Sequence, residues 1–152
     1  MPENAQPRPV LTVATVVMRD GALLFVEEET RDGLRLNQPA GHLEAGESIL
    51  DAAVRETLEE SGYHVRPTAL VGIYRWQAPD NGATFIRFAV AADVVGHDRD
   101  RVLDTGIVRA LWLSYDEVAP YPARHRSPLV LRCLDDHRAG SRYPLALLRE
   151  AP

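Results

Sequence analysis

The spacing of apolar and polar positions changes character several times along the chain. Val10–Met18 is rich in β-branched residues and predicts a strand. Arg19-Asp20-Gly21 is a turn signal, and Ala22–Val26 reads as the returning strand of a hairpin. Glu27–Leu36 is charged and contains Asp32-Gly33, which predicts a loop. Asn37–Glu47, with Pro39, Gly41 and Gly46, predicts a longer one. From Ser48 the period becomes helical. Ser48 caps a helix running to about Ser61, with Asp51 three residues on as in a capping box and Gly62 as the left-handed stop. Tyr63–Gln77 carries one or two strands, Thr84–Val95 another, and Ile107–Leu113 a further one. Gly96–Gly106 is a polar loop holding Asp98, Asp100 and Asp104. Ser114-Tyr115-Asp116-Glu117 starts a short helix, and Ser127-Pro128 opens a last one to about Arg138. Strands, hairpins and helices are mixed, so α/β or α+β layering around a mixed sheet follows.

Length adds a bound. At 152 residues the chain suits a loose tail at 1–8 followed by one domain over 9–152. Lys+Arg number 17 against 22 Asp+Glu, a net charge of −5. That balance argues against a nonspecific grip on long DNA or RNA. It leaves small phosphorylated ligands open, because a bound divalent cation reverses the local sign. The one cysteine, Cys133, excludes an internal disulfide and reads as a buried small apolar residue. Met1–Pro9 has three prolines and no apolar core of a leader, and no apolar stretch approaches the ~20 residues that span a bilayer. A cytoplasmic protein without membrane partners is the expectation, with a monomer ahead of a dimer.

The chemistry concentrates on the helix after Ser48. At about 100° per residue, with Glu56 at zero, Glu60 falls near about +40° and Glu59 near about −60°. Three carboxylates therefore share one arc. Leu50, Val54, Thr57 and Leu58 form a separate arc, expected to face the core. Ala52 sits among the acids, where a small residue would leave room for a ligand. Like charges at Glu56 and Glu60 cost a few tenths of a kcal/mol. A hard divalent cation resolves the conflict, since Mg²⁺ takes oxygen ligands and substrate phosphates together. The plain alternative is a solvated face laced by Asp51–Arg55 and Arg55–Glu59 pairs.

The wider context favours the metal. The segment from Gly41 to Tyr63 resembles the signature of the Nudix hydrolases, Gly-x5-Glu-x7-Arg-Glu-U-x-Glu-Glu-x-Gly-U, where U is bulky and apolar. Gly41, Glu47, Arg55, Glu56, Glu59, Glu60 and Gly62 all match. Chance would produce that set on the order of 10⁻⁶ times. Thr57 and Tyr63 depart from the pattern at two U positions, which bears on packing. The resemblance implies an α/β/α sandwich with a mixed β-sheet and a loop-helix-loop, and cleavage of a diphosphate bond by metal-activated water. It implies Glu59 and Glu60 as principal Mg²⁺ ligands, with Mn²⁺ as the alternative ion. Glu56 would be a further ligand or help activate water. Arg55 and Glu47 would pair to hold the loop, and Gly41 would bring its backbone, with a carbonyl ligand, to the metal.

The resemblance extends beyond the signature. Leu36–Ala45, Trp76–Asp80, Arg126–Val130 and Arg142–Leu145 are similar to one branch of the family. That branch hydrolyses nucleoside tri- and diphosphates and the pyrophosphate of a hydroxymethylpyrimidine. The implied partner is a small nucleotide or pyrimidine diphosphate. Other Nudix specificities remain alternatives: ADP-ribose, a dinucleotide, an RNA 5′ end, or a non-catalytic nucleotide sensor. Trp76 and Tyr74 alternate along a strand and share a face, which suits a base-stacking platform or sheet packing. Trp112 reads as core, and Arg126, within Arg124-His125-Arg126, can meet phosphates or solvent. His42 lies in the metal loop, yet hard Mg²⁺ does not favour imidazole. His64, His97 and His137 read as surface residues. Asp104 is the preferred loop base, because it lies just before the strand Ile107–Leu113.

Overall fold

A computed structural model describes residues 7–152. The expected tail at 1–8 therefore lies almost wholly outside the described residues. Strand β1, Val10–Arg19, organises the sheet. It runs parallel to β6, Thr84–His97, from Val10 to Val17. On its other side β1 forks. Its first half pairs with the short β4, Ala40–His42, and its far end with β2, Ala22–Thr30. Strand β2 also carries β3, Gly33–Asn37, and β7, Ile107–Leu113, while β5, Tyr63–Gln77, pairs with β6. The seven strands form a mixed sheet with main order β3-β2-β1-β6-β5.

Side-chain alternation dictates the layers, because neighbouring residues of a strand point to opposite faces. Val13, Leu70 and Val90 pack on Ala52 and Ala53 of helix α1, Ile49–Ser61. Their neighbours Val16, Val71, Ala89 and Ala91 pack on Val130, Cys133 and Leu134 of helix α3, Leu129–Arg138. The sheet thus lies between two helices, as the resemblance implies. The short helix α2, Tyr115–Val118, adds Val118 to the α3 side. Helix ends follow the expected chemistry. Ser48 Oγ accepts from Asp51 N at 3.0 Å, and Gly62 takes φ 77°. Ser114 and Glu117 form a full capping box on α2.

Several expectations need correction. Glu27–Leu36 is not a loop. β2 continues to Thr30, turns, and returns as β3. The run Glu27-Glu28-Glu29 hides the strand, but β2 is hydrogen-bonded on both sides and buried Glu27 is paired with Arg109 at 3.2 Å. Tyr63–Gln77 is one strand, and three register shifts, after His64, Pro67 and Leu70, absorb its irregularity. The wheel of α1 turns further inward than expected. Ala52, Ala53, Glu56, Thr57 and Glu60 are buried, whereas Val54 and Leu58 are only half-buried. Ala52 leaves no room for a ligand; it lets the helix approach the sheet. His137 is also buried, and the loss of hydration pushes its pKa down to about 4. His125 is buried too, its Nε2 against Val118 O at 2.9 Å.

Both departures from the signature have a physical reason. Thr57 Oγ1 donates to Ala53 O and meets Thr15 Oγ1 at 2.8 Å, deep between α1 and β1. With its own proton used, Thr57 accepts from Thr15. Tyr63 stacks on His97 at 3.9 Å and accepts from Trp112 Nε1 at 2.9 Å. Trp112 is half-buried rather than fully core, with the Arg19 guanidinium 4.3 Å from its ring centre. The threonine pair gives a test. Thr57→Val strands the Thr15 donor and is expected to cost about 1–3 kcal/mol in chemical denaturation. Thr15→Val should cost less, because Thr57 keeps Ala53. The double Val variant should recover most of the loss, giving a positive coupling in the double-mutant cycle.

Candidate functional site

The small residues of α1 bring its acids against the loop before it. Gly41 shows how close the approach is: a Cβ there would collide with the Glu56 carboxyl. Glycine at 41 is thus a requirement of space. On the far side of the helix, Asp104 N donates to Glu59 O at 3.0 Å and Asp98 N to Gly62 O at 2.8 Å. These bonds strap the polar loop before β7 onto the helix end. Through them Asp104 joins the helix acids. Carboxylate oxygens of Glu56, Glu59 and Asp104 lie within 4.8 Å of one another. Asp104 is exposed, Glu59 half-buried and Glu56 buried.

Arg55 is the counterweight. Its guanidinium grips Glu47 bidentately, at 2.9 and 2.7 Å, and also reaches Glu56 at 2.9 Å and Glu59 at 3.1 Å. Its Nη2 donates to His42 O at 3.0 Å, tying the loop to the helix. The hydrogen bonds from Arg55 hold the Glu47 carboxyl below its ordinary pKa. Glu56 goes the other way: burial pushes it up, against the pull of Arg55. Glu60 is pushed up to about 8, first by burial and then by Glu56, Glu28 and Asp104, although Ala40 N donates to its Oε1 at 2.9 Å. A solvated acidic face does not behave this way. One arginine cannot balance these acids, and an oxygen-only donor set suits a hard divalent ion. The described residues therefore fit the group that the signature implies.

Beside this trio lies a cavity of about 210 Å³, and Ala40, Gly41 and His42 form the shared wall. Trp76 and Phe85 line it together, with ring centres 5.7 Å apart and an interplanar angle of 29°. Trp76 is half-buried and belongs to none of the core clusters of the described residues, which leaves its ring at the cavity. Tyr74 does not join it there. Its ring packs on the α3 side of the core and its hydroxyl donates to Asp136 at 2.7 Å. Arg126 reaches the cavity wall, its Nε 3.1 Å from Glu28 Oε1. Glu28, Asn37 and Arg87 also line the cavity and were not singled out from the sequence. Glu28 was hidden by the misread strand. Its signal was the continuation of β2 to β-branched Thr30.

Comparison with known proteins agrees with this picture. A NUDIX domain profile matches residues 8–133. The chain is 37% identical over 141 residues to Phosphatase NudJ of Escherichia coli K12, covering 93% of this chain and 91% of that protein. It superposes on a NUDIX hydrolase from Nitrosomonas europaea with a TM-score of 0.92 and 51% identity, over 95% of this chain and 98% of that one. An ADP-ribose pyrophosphatase from Streptococcus suis has a TM-score of 0.64 at 21% identity, over 86% and 93% of the two chains, and shares the fold alone. No described helix is long and apolar enough to cross a membrane. The profile spans the loop and helix whose carboxylates converge here, and the identity runs almost end to end, so the chain belongs to the Nudix family and hydrolyses phosphoric anhydrides.

Proposed function

We propose that this enzyme is a Mg²⁺-dependent pyrophosphohydrolase of nucleoside tri- and diphosphates and related pyrimidine diphosphates, with Mn²⁺ as an alternative ion. The observation that carries this reading is the convergence of Glu56, Glu59 and Asp104 beside an aromatic-walled cavity. Phosphoryl groups would sit at the acids and the flat organic group against Trp76. The similar Escherichia coli protein is named a phosphatase, which is compatible with attack on the same bond class.

The residues divide the work. Glu56 and Glu59 would hold the ion. Glu60, with one oxygen committed to Ala40, offers its second, and the Gly41 carbonyl is a further donor. When bound, a divalent cation neutralises charge on the phosphoryl oxygens and lets water ionise near neutral pH. Arg55 and Glu47 position the acids. Asp104, exposed and beside the ligands, accepts the proton of the attacking water. Arg126 stands where it can meet an anionic substrate at the cavity wall.

Release of phosphate or pyrophosphate from a nucleotide panel, with and without Mg²⁺, tests the reading directly; turnover that ignores the metal would overturn it. Glu59→Gln should weaken Mn²⁺ binding and cut turnover by ~10³-fold or more, while the melting temperature holds. Asp104→Asn should cut the rate with loss of the acidic limb of the pH profile, and weaken Mn²⁺ binding less than Glu59→Gln does. Its backbone bonds to Glu59 and Ile107 survive the change, so the loop should stay in place. Trp76→Ala should lower kcat/KM for nucleotides by about 1–3 kcal/mol, with a smaller effect on inorganic pyrophosphate and little loss of stability.

A further inference from the structure

Arg126 is an exposed arginine on a pinned backbone. Its own N donates to Leu36 O at 2.8 Å, and the buried ring of His125 meets Val118 O at 2.9 Å. On the other side, Ser127 O accepts from Val130 N at 3.2 Å, which joins the segment to α3. The side chain has far less to hold it. It is 53% exposed, and Glu28 is the one partner of its guanidinium among the described residues. Nε lies 3.1 Å from Glu28 Oε1, while Nη1 and Nη2 meet no described acceptor. A long side chain with that much exposure samples many rotamers, and ordering it anew for each ligand weakens binding. Glu28 is a firm anchor against that loss. Its strand is paired on both sides, with Arg35 of β3 and Ile107 of β7, and its own side chain is only 20% exposed.

We propose that Glu28 is a positioning residue: it holds the Arg126 side chain in one arrangement, with Nη1 and Nη2 open to a phosphate oxygen of the substrate. This deepens the proposed function and rests on it. Glu28 acts through Arg126 and not on the substrate itself. A guanidinium suits the task, because its rigid planar fork can give Nε to one anion and its Nη groups to another. The local charge agrees. Glu28 also faces the buried Arg87, whose hydrogen bonds to Asn37 Oδ1 and Gln38 Oε1, both at 3.1 Å, go to neutral groups. One carboxylate between two guanidiniums leaves a positive charge over at this wall, where an anion is welcome. The position agrees as well. Arg126 lines the cavity beside the acids and also a neighbouring one of about 450 Å³, and Trp76 and Phe85 are common to both. The free Nη groups are therefore at hand wherever a ligand lies along the aromatic wall.

A double-mutant cycle on KM and kcat tests this, with CTP and UTP as substrates in saturating Mg²⁺. Arg126→Ala should raise KM by about 10–100-fold, the worth of a charge-assisted hydrogen bond. Glu28→Gln should raise KM by about 10-fold, the cost of ordering a freed arginine, and leave kcat within about 3-fold of wild type. Both nucleotides should suffer alike, since the phosphates are common to them. In the Arg126→Ala background, Glu28→Gln should add nothing further. Additive effects, or an unchanged KM in either single variant, overturn the proposal. So does a fall in kcat with weaker Mn²⁺ binding in Glu28→Gln, which would make Glu28 a metal ligand. If Glu28→Gln does not fold, Arg126→Lys decides: an ammonium held by Glu28 has no second edge, so KM should rise as in Arg126→Ala. A KM within about 3-fold of wild type in Arg126→Lys then overturns the proposal. If no nucleotide is hydrolysed, the proposed function fails, and the same cycle on the dissociation constant of CDP decides the inference separately. Weaker CDP binding in both single variants, with no further loss in the double, supports it; additive losses or no binding overturn it.

Discussion

The site depends on one guanidinium. Arg55 binds Glu47, Glu56 and Glu59 and the carbonyl of His42, and so joins the loop, the helix and the acids in one network. Charge-assisted, bidentate bonds of this kind are strong and directional. Without that cation, the buried Glu56 and its neighbours would repel each other at close range. With it, the acids are held together but left short of neutrality. That excess negative charge is what suits the site to the divalent ion proposed for it, and a single residue governs how large the excess is.

Packing sets the position of that network. Ala52 and Ala53 let α1 settle on the sheet, and the Thr15–Thr57 pair marks the depth of contact. Glu56 then arrives against Gly41, where no side chain fits. The same wall borders the cavity of Trp76 and Phe85. The fork of β1, with β4 on one half and β2 on the other, brings Gly41 of β4 and Glu28 of β2 to the same cavity.

Much of this was legible in the sequence. The helix Ser48–Ser61, its Gly62 stop, β7 and the seven signature residues follow from spacing and end chemistry. Asp104 was found by its place before a strand, and its backbone bond to Glu59 explains why it reaches the acids. What failed had physical causes. Periodicity put Leu50, Val54, Thr57 and Leu58 on the core face; Leu50 packs there and Thr57 is buried, but close approach favoured the small Ala52 and Ala53 over Val54 and Leu58. Three successive glutamates looked like a loop, because local charge outweighed pairing that only distant β3 and β7 supply. Tyr74 shares a strand with Trp76, yet Asp136 of α3 claims its hydroxyl. Partners far along the chain decide such cases, and composition does not reveal them.

The strap across the end of α1 has an energetic meaning of its own. Residues 98–107 are fastened through Asp98 to Gly62 and through Asp104 to Glu59, with Ile107 N closing back on Asp104 O at 3.0 Å. The conformational entropy of ordering that segment is therefore surrendered once, when the chain folds, and not again at each encounter with substrate. A loop that had to close over the ligand would make its own motion a candidate for the slowest step. Here the acid waits in place, and the free energy of substrate binding is left for the contacts that substrate itself makes.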